Sequence, residues 1–254
     1  MLLTNGFALI ASPFDAVMRS VFCVSGKNAS GEPVFGTAFL VQENARIADS
    51  AWLLTAGHTL SHIAKDHIQL NMRRLNRGVF SSCPVLIKIR ERGKPLYYVH
   101  SEHDIAAVRI ALPAEADCCL LACDFIADEG MLDRFGVGAG TRIMIPGYPY
   151  GEACNEAGFS FVRNGIVSSF PMLPSKLYPV FYADFEVFAG YSGAPVICGD
   201  NSGAGFLVGM VLEEVFLEEL HSRKNKKTIK NRRGLGIAKI LSAPVIKSFL
   251  SMLR

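Results

Sequence analysis

The chain has 254 residues, of which half are apolar, and its formal net charge is +3 at pH 7. This length allows one large or two small domains with a sizeable core. So mild a charge by itself implies no nucleic-acid or membrane partner. No apolar run approaches the ~18 residues that a transmembrane helix needs.

The cysteines and the amino terminus bear on the compartment. Seven cysteines form an odd number without regular spacing, which argues against a full disulfide framework of the secreted kind. We therefore expect a cytoplasmic protein, with secretion as the alternative. Residues 1–16 contain an apolar stretch without a preceding basic residue, so a packed extension is favoured over a signal peptide.

Short apolar segments bounded by turn residues predict strands along most of the chain. In the first half they lie at 18–24, 34–42, 51–55, 85–90 and 105–110, with a helical turn at 59–64. In the second half they lie at 141–145, 158–169, 180–186, 195–198, 206–212 and 235–240, before a terminal helix at 243–253. Many short strands with few helical patterns favour an all-β barrel class.

A serine flanked by glycines lies in FAGYSGAPV, residues 188–196. Glycine lets the backbone bend tightly and approach a substrate carbonyl closely. The hydroxyl of Ser192 becomes a nucleophile if a base removes its proton and backbone donors meet the developing oxyanion. On its own, the motif also fits an ordinary turn.

A candidate base and a candidate acid precede this serine. His58 follows the apolar run LLTAG, and Asp104 comes directly before the apolar run IAAV. A structural histidine and a turn or capping aspartate are the alternatives. Because Asp104 opens a buried strand in this interpretation, its charge needs a partner.

The segments LLTAGH, HDIAAV and GYSGAPV, in this order, resemble the chymotrypsin-like (trypsin-like) serine peptidases. GTAFLV at 36–41 and GIVS at 165–168 are similar to segments of the bacterial and HtrA-type members. The resemblance covers residues 18–242 and implies two six-stranded antiparallel β-barrels with a short carboxy-terminal helix. It divides the chain into an extension (1–17), a first barrel (18–112), a crossover (113–140) and a second barrel with the helix (141–254). The residues after 242 are too few for a PDZ-like domain.

The resemblance also assigns roles. It implies a serine endopeptidase in which Ser192 attacks, His58 is the general base and then the general acid, and Asp104 holds the imidazole. The backbone N–H groups of Gly190 and Ser192 are the implied oxyanion hole. The rivals are an esterase-like hydrolase and a catalytically silent or latent fold that binds a partner.

Two residues around the serine depart from the family pattern. Tyr191 stands where the family usually has Asp or Asn, which puts activation by a new amino terminus in doubt. Ala194 stands where glycine is usual, and its methyl group is tolerable if the backbone angle is negative. Neither change removes a catalytic group.

A substrate pocket follows from the same comparison. Glu186 is expected at the base of the P1 pocket, with Met210, Leu212 and Glu214 on the strand that lines it. An acidic base favours Lys or Arg at P1 by charge pairing. In the alternative, Glu186 faces solvent and the pocket accepts apolar side chains.

A basic run lies near the carboxy-terminal end of the predicted second barrel. Residues 221–233 contain seven Lys or Arg, which is most typical of a solvated loop. Contact of the 223–233 loop with a polyanion and self-cleavage there are the alternatives. The histidines and cysteines form neither C-x-x-C pairs nor H-E-x-x-H, so we expect no metal and no cofactor.

Overall fold

The computed structural model describes residues 13–42, 50–199, 205–222 and 228–253. The first half contains α1 (Pro13–Ser20), β1 (Val21–Lys27), β2 (Pro33–Gln42), β3 (Ser50–Thr55), α2 (Gly57–His62), β4 (His67–Asn76), β5 (Val79–Lys88), β6 (Arg90–Glu91), β7 (Lys94–Pro95), β8 (Tyr98–Val99) and β9 (Ala106–Ala111). The second half contains α3 (Glu129–Arg134), β10 (Arg142–Gly147), β11 (Phe161–Val167), β12 (Val180–Asp184), β13 (Pro195–Gly199), β14 (Gly205–Ser222), β15 (Thr228–Ser242) and α4 (Ala243–Met252). Short 3-10 helices lie at Cys123–Phe125 and Pro149–Gly151.

The first half forms an antiparallel sheet of seven strands in the order β5-β4-β1-β2-β3-β9-β8. The expected six-stranded count is therefore wrong for this half, and the pairing among the described residues does not close it into a barrel. The sequence interpretation misses β4, whose apolar residues alternate with polar ones instead of forming a continuous run. Strand β2 is buried from Gly36 to Val41 and β3 from Ala51 to Thr55, so the middle of this sheet lies in the interior.

The second half forms the predicted closed barrel of six strands, ordered β10-β11-β12-β15-β14-β13. The predicted terminal helix is confirmed as α4, with a proline in its first turn. Its apolar residues Ile246, Phe249 and Leu250 are buried in a hydrophobic core to which residues of both halves contribute. The all-β class is thus correct.

The first strand begins later than predicted. The chain is helical in α1 through Ser20, so β1 begins at Val21. Proline suits the first position of a helix, and α1 carries an acidic residue early and a basic one late. Residues 18–20 therefore end a helix and do not open a strand.

The basic run is not simply a loop. Strands β14 and β15 continue into it from both sides, and residues 223–227 lie outside the described ranges. Glu218 pairs with Arg232 across the two strands, and opposite charges facing each other favour strand pairing. The guanidinium of Arg232 also lies 3.7 Å from the ring centroid of Phe216.

The cysteines and the helices bear on the predictions about disulfides and membrane spans. All seven cysteines lie in the described ranges, and no disulfide bond joins any two of them there. Within those ranges, no helix is both long and apolar enough to cross a membrane.

Arg73 of β4 joins the two halves from a fully buried position. Its guanidinium donates to the carbonyl oxygens of Val21 and Gly158 at 3.1 Å and of Met18 at 3.2 Å. It also donates to the hydroxyl of Tyr148 at 3.3 Å. One side chain of the first sheet thus holds backbone from both halves.

The charge of Arg73 is balanced mainly by dipoles and rings. Burial lowers the pKa of Arg73, and Tyr148 acts in the opposite direction. Its Cζ lies 4.4 Å from the ring centroid of Phe22 and 4.3 Å from that of Phe159. A desolvated guanidinium over aromatic faces gains cation–π attraction, which offsets part of the cost of burial.

We expect Arg73→Met to lower the free energy of unfolding by at least about 2 kcal/mol, because buried carbonyl groups lose their donors. The adjacent exposed residue supplies a matched control, and Arg74→Met should change that free energy by no more than about 0.5 kcal/mol. Urea unfolding of both variants measures the difference. Equal effects of the two substitutions would contradict the role given to Arg73.

Candidate active site

His58 enters the site from the end of a buried strand. Strand β3 is buried from Ala51 to Thr55 and leads through Ala56 into α2, which contains His58. The side chain of His58 is 34% exposed. The strand fixes its position, while one side of the ring stays open to solvent.

Asp104 reaches the same place from the neighbouring strand. Strands β3 and β9 are antiparallel with Thr55 opposite Ala106, so the residues just beyond this pair lie side by side. Asp104 Oδ2 is 2.5 Å from His58 Nδ1, and Asp104 Oδ1 accepts the backbone N–H of His58 at 2.8 Å. The structure therefore brings the predicted base and acid together.

A glycine makes this close approach possible. A Cβ atom on Gly57 would lie 3.0 Å from Asp104 Oδ1, tighter than ordinary van der Waals contact. The glycine of the TAGH segment therefore gives the carboxylate room to reach the backbone of His58.

The electrostatics keep Asp104 ionised. Burial raises the pKa of Asp104, but hydrogen bonding and charge attraction from His58, with the backbone N–H groups of His58 and Gly57, outweigh it and leave this pKa below its usual value. A carboxylate on Nδ1 favours the neutral tautomer that carries its proton there. That tautomer leaves Nε2 of His58 free to accept a proton.

Ser192 lies in a tight turn between β12 and β13. Gly190 and Gly193 have φ angles of +99° and +88°, which glycine adopts without strain. The N–H of Tyr191 donates to Phe188 O at 3.1 Å. We call residues 185–192 the nucleophile loop.

Thr37 of β2 fastens this loop to the first sheet. Its N–H donates to Ser192 O at 2.9 Å, and its Oγ1 donates to Gly190 O at 2.7 Å. The same Oγ1 accepts the N–H of Tyr148 at 3.2 Å. Thr55, three residues before His58, donates its hydroxyl to Thr37 O at 2.8 Å. One buried threonine thus ties the nucleophile loop to the strand that carries His58.

The serine hydroxyl is not yet joined to the histidine. Among the described residues, the side-chain partner of His58 is Asp104, and no hydrogen bond reaches Ser192 Oγ. In structures without substrate, catalytic hydrogen bonds are often long and tighten only in the complex. The completion of the triad by Ser192 stays a prediction.

The backbone around Ser192 leaves two N–H groups without a described acceptor. The N–H of Gly193 donates to Val211 O at 2.8 Å, and that of Ala194 donates to Tyr191 O at 2.8 Å. Within the described ranges, no carbonyl oxygen accepts from the N–H of Gly190 or Ser192. These are the two donors that the resemblance implies for an oxyanion hole.

The two departures from the family pattern fit the turn. Tyr191 is fully buried, and its ring packs edge-on to that of Phe185 with the centroids 5.2 Å apart. A Cβ atom on Gly147 would lie 2.5 Å from this ring. Ala194 is buried and is not among the described non-glycine residues with a positive φ, so its methyl group causes no backbone strain.

The predicted pocket residues occupy different environments. Met210 is fully buried and Leu212 is 5% exposed, both within the hydrophobic core that the two halves share. Glu186 is 57% exposed and lies 4.0 Å from the guanidinium of Arg163. Glu214 accepts the N–H of Gly236 at 3.1 Å. Whether these four line a P1 pocket stays a prediction.

Several residues at this site are missed by sequence reasoning. Thr37 and Tyr148 act through backbone groups more than 100 residues away, and no local pattern signals such contacts. Thr37 lies in the GTAFLV segment, which is the only available hint. Among the described residues, no group of three or more His, Cys, Asp or Glu is arranged to hold a metal ion.

No family model and no curated protein matches the chain. Solved structures do match it. Two chains of the HtrA-type protease AlgW, each with a tripeptide, align at 17% identity with TM-scores of 0.56 and 0.53, covering 97% and 95% of this chain but only 64% of theirs. The protease Anisep from Arthrobacter nicotinovorans gives 0.54 at 13% identity and covers 92% of this chain and 94% of that one.

This chain has the fold of the chymotrypsin-like serine peptidases. A serine endoprotease from Yersinia pestis gives a TM-score of 0.52 at 13% identity and covers 98% of this chain and 68% of that one. The chain thus spans about two thirds of the HtrA-type chains. At such identities the likeness establishes the fold alone.

We expect Thr37→Val to lower the free energy of unfolding by about 1–3 kcal/mol, because Gly190 O and the N–H of Tyr148 lose their buried partner. Thr37→Ser keeps the hydroxyl, so it should retain most of the stability. Thermal unfolding of the two variants compares them directly. Equal losses would mean that the hydroxyl does not hold the loop.

Proposed function

We propose that the protein is a serine endopeptidase with His58, Asp104 and Ser192 as its catalytic triad. The observation that carries this proposal is the 2.5 Å contact between His58 and Asp104, on the sheet that also holds the loop of Ser192 through Thr37. In this proposal, the first sheet corresponds to the first of two barrels and the chain divides as the sequence predicts.

Acylation begins with attack by Ser192 Oγ on a peptide carbonyl carbon. His58 Nε2 takes the hydroxyl proton as the new C–O bond forms, and Asp104 stabilises the resulting imidazolium. The carbonyl oxygen becomes an oxyanion and accepts hydrogen bonds from the backbone N–H groups of Gly190 and Ser192. When the tetrahedral intermediate collapses, the C–N bond breaks and the imidazolium protonates the departing amine.

Deacylation repeats these steps with water. His58 Nε2 removes a proton from water, whose oxygen attacks the ester carbonyl of the acyl-enzyme. The oxyanion returns to the same two N–H groups, and the ester bond then breaks. His58 gives its proton back to Ser192 Oγ, which restores the starting state and releases a carboxylic acid.

A latent or silent protein that binds a partner is the second candidate. The observation that favours it is the lack of a hydrogen bond, in the described chain, between Ser192 Oγ and His58. An esterase-like hydrolase is a rival within the same chemistry. Labelling separates the silent protein from the other two, and substrate type separates the peptidase from the esterase.

Substrate preference at P1 is a further part of the proposal. The positive charge of Arg163 lies 4.0 Å from the Glu186 carboxylate. This cation partly neutralises the carboxylate of Glu186, which would otherwise attract a Lys or Arg side chain at P1. The electrostatic support for a basic P1 residue is therefore weak, which favours the apolar alternative.

We expect a fluorophosphonate probe to form one adduct, on Ser192, because only an activated hydroxyl displaces its leaving group rapidly. Ser192→Ala should abolish the adduct, while Ser30→Ala, in an exposed turn, should leave it unchanged. Asp104→Asn should slow labelling and peptide hydrolysis by up to about 10⁴-fold because the imidazole then favours the wrong tautomer. Intact-mass analysis with peptide mapping locates the adduct.

The outcomes separate the candidates. Labelling together with hydrolysis of a peptide bond supports the endopeptidase. Labelling with hydrolysis of esters alone supports the esterase. Absence of labelling in folded protein contradicts the proposal and leaves the binding module.

A further inference from the structure

The nucleophile loop needs support that Thr37 does not supply. Thr37 holds its end, at Gly190 and Ser192. The loop starts after Asp184, the last residue of β12. Backbone hydrogen bonds hold its first residue and its middle, since the N–H of Phe185 donates to Gly236 O at 3.0 Å and Ala189 O accepts the N–H of Tyr150. The segment between Phe185 and Ala189 depends on other contacts for its conformation.

Arg163 makes those contacts from the middle of β11. Its Nη1 donates to the backbone carbonyl of Glu186 at 2.7 Å. Its Nη2 lies 4.0 Å from the carboxylate of the same residue. A side chain on a strand of the closed barrel thus holds both the main chain and the side chain of Glu186, one residue beyond the backbone bond of Phe185 to Gly236.

The same guanidinium lies over the aromatic residues of the loop. Its Cζ is 4.7 Å from the ring centroid of Phe185, 5.0 Å from that of Phe188 and 5.7 Å from that of Tyr191. All three distances fall within the ~6 Å range of cation–π attraction. Phe185 and Tyr191 are nearly or fully buried, so this attraction acts in partly desolvated surroundings.

These contacts continue to the serine itself. Tyr191 directly precedes Ser192, and its N–H donates to Phe188 O. Holding Phe188 and Tyr191 therefore sets the direction of the peptide between Tyr191 and Ser192. The N–H of that peptide is one of the two proposed oxyanion donors.

We propose that Arg163 is a positioning residue that holds the nucleophile loop in its reactive conformation. The catalytic part of this inference rests on the proposed serine-hydrolase function. Arginine suits the role because a planar guanidinium stacks on rings and donates to a carbonyl at once, whereas a lysine ammonium acts as a point charge. The barrel itself then holds the loop through Arg163. No ion pair between residue 191 and a new amino terminus is needed, since residue 191 is a tyrosine.

The first test follows the loop and does not depend on activity. In Arg163→Ala, amide hydrogen exchange over residues 185–192 should be at least about tenfold faster than in the unmodified protein, since the loop opens locally. Arg142→Met, an exposed arginine on the adjacent strand β10, should leave exchange in the loop unchanged. Unchanged exchange in Arg163→Ala would overturn the proposal.

The second test follows the chemistry. Arg163→Ala should lower kcat for peptide hydrolysis and the rate of fluorophosphonate labelling about 10- to 100-fold, because misplacement by about 1 Å costs that much. KM should change less. Added methylguanidine should restore part of both rates in Arg163→Ala and none in Ser192→Ala. The rates of Arg163→Lys should lie between those of Arg163→Ala and those of the unmodified protein.

Together, the two tests distinguish a failure of the proposed function from a failure of the positioning role of Arg163. If the unmodified protein is not labelled at Ser192 but Arg163→Ala loosens the loop, the proposed function fails and the positioning role stands. If the unmodified protein is labelled and Arg163→Ala reacts within twofold of it, the positioning role fails and the function stands. The positioning role is also overturned if Arg163→Ala is less active only because its melting temperature is lower and methylguanidine does not restore its rates.

Discussion

The candidate site depends on the hydrogen bonds of one buried threonine. The N–H, hydroxyl and carbonyl of Thr37 are all occupied, and their partners include Gly190, Ser192 and Thr55. A buried polar group without a partner costs free energy, so no member of this network moves without loss to the others. The strand leading to His58 and the loop carrying Ser192 are therefore held in one fixed relation.

The glycines on either side of Ser192 allow the loop to lie close to the first sheet. A Cβ atom on Gly190 would meet Tyr148 O, and one on Gly193 would meet Thr37 O. Both residues also have positive φ angles. The glycines around Ser192 thus serve two physical needs, a tight turn and close contact with the backbone of the first sheet and of the second barrel.

Tyr148 extends this arrangement into the protein interior. Its N–H is bound by Thr37, and its hydroxyl lies in the network around Arg73. Burial raises the pKa of Tyr148 far above its ordinary value, so the hydroxyl stays protonated and donates to Gly158 O at 2.9 Å. The interior network and the nucleophile loop therefore share one residue, which connects stability with the geometry of the site.

The sequence predicts the parts of the site that follow from local pattern. Apolar runs place His58 at the end of one strand and Asp104 at the start of another, and pairing of those strands brings them together. The supporting residues are not predictable in this way. Thr37 and Gly190 are 153 positions apart, and Arg73, a charged residue in a polar stretch, gives no sign that it is fully buried. The seven-stranded first sheet is missed because the apolar residues of β4 alternate with polar ones, a pattern typical of a half-buried strand that a search for continuous apolar runs does not find.

The most direct measurement is a crystal structure of the protein after reaction with a peptide boronic acid, which mimics the tetrahedral intermediate. The account predicts boron bonded to Ser192 Oγ and a boronate oxygen about 2.7–3.1 Å from the N–H groups of Gly190 and Ser192. It also predicts His58 Nε2 within hydrogen-bond reach of the adduct, with Asp104 still on Nδ1. A boronate bound elsewhere, or an adduct whose oxygen turns away from both N–H groups, would contradict it.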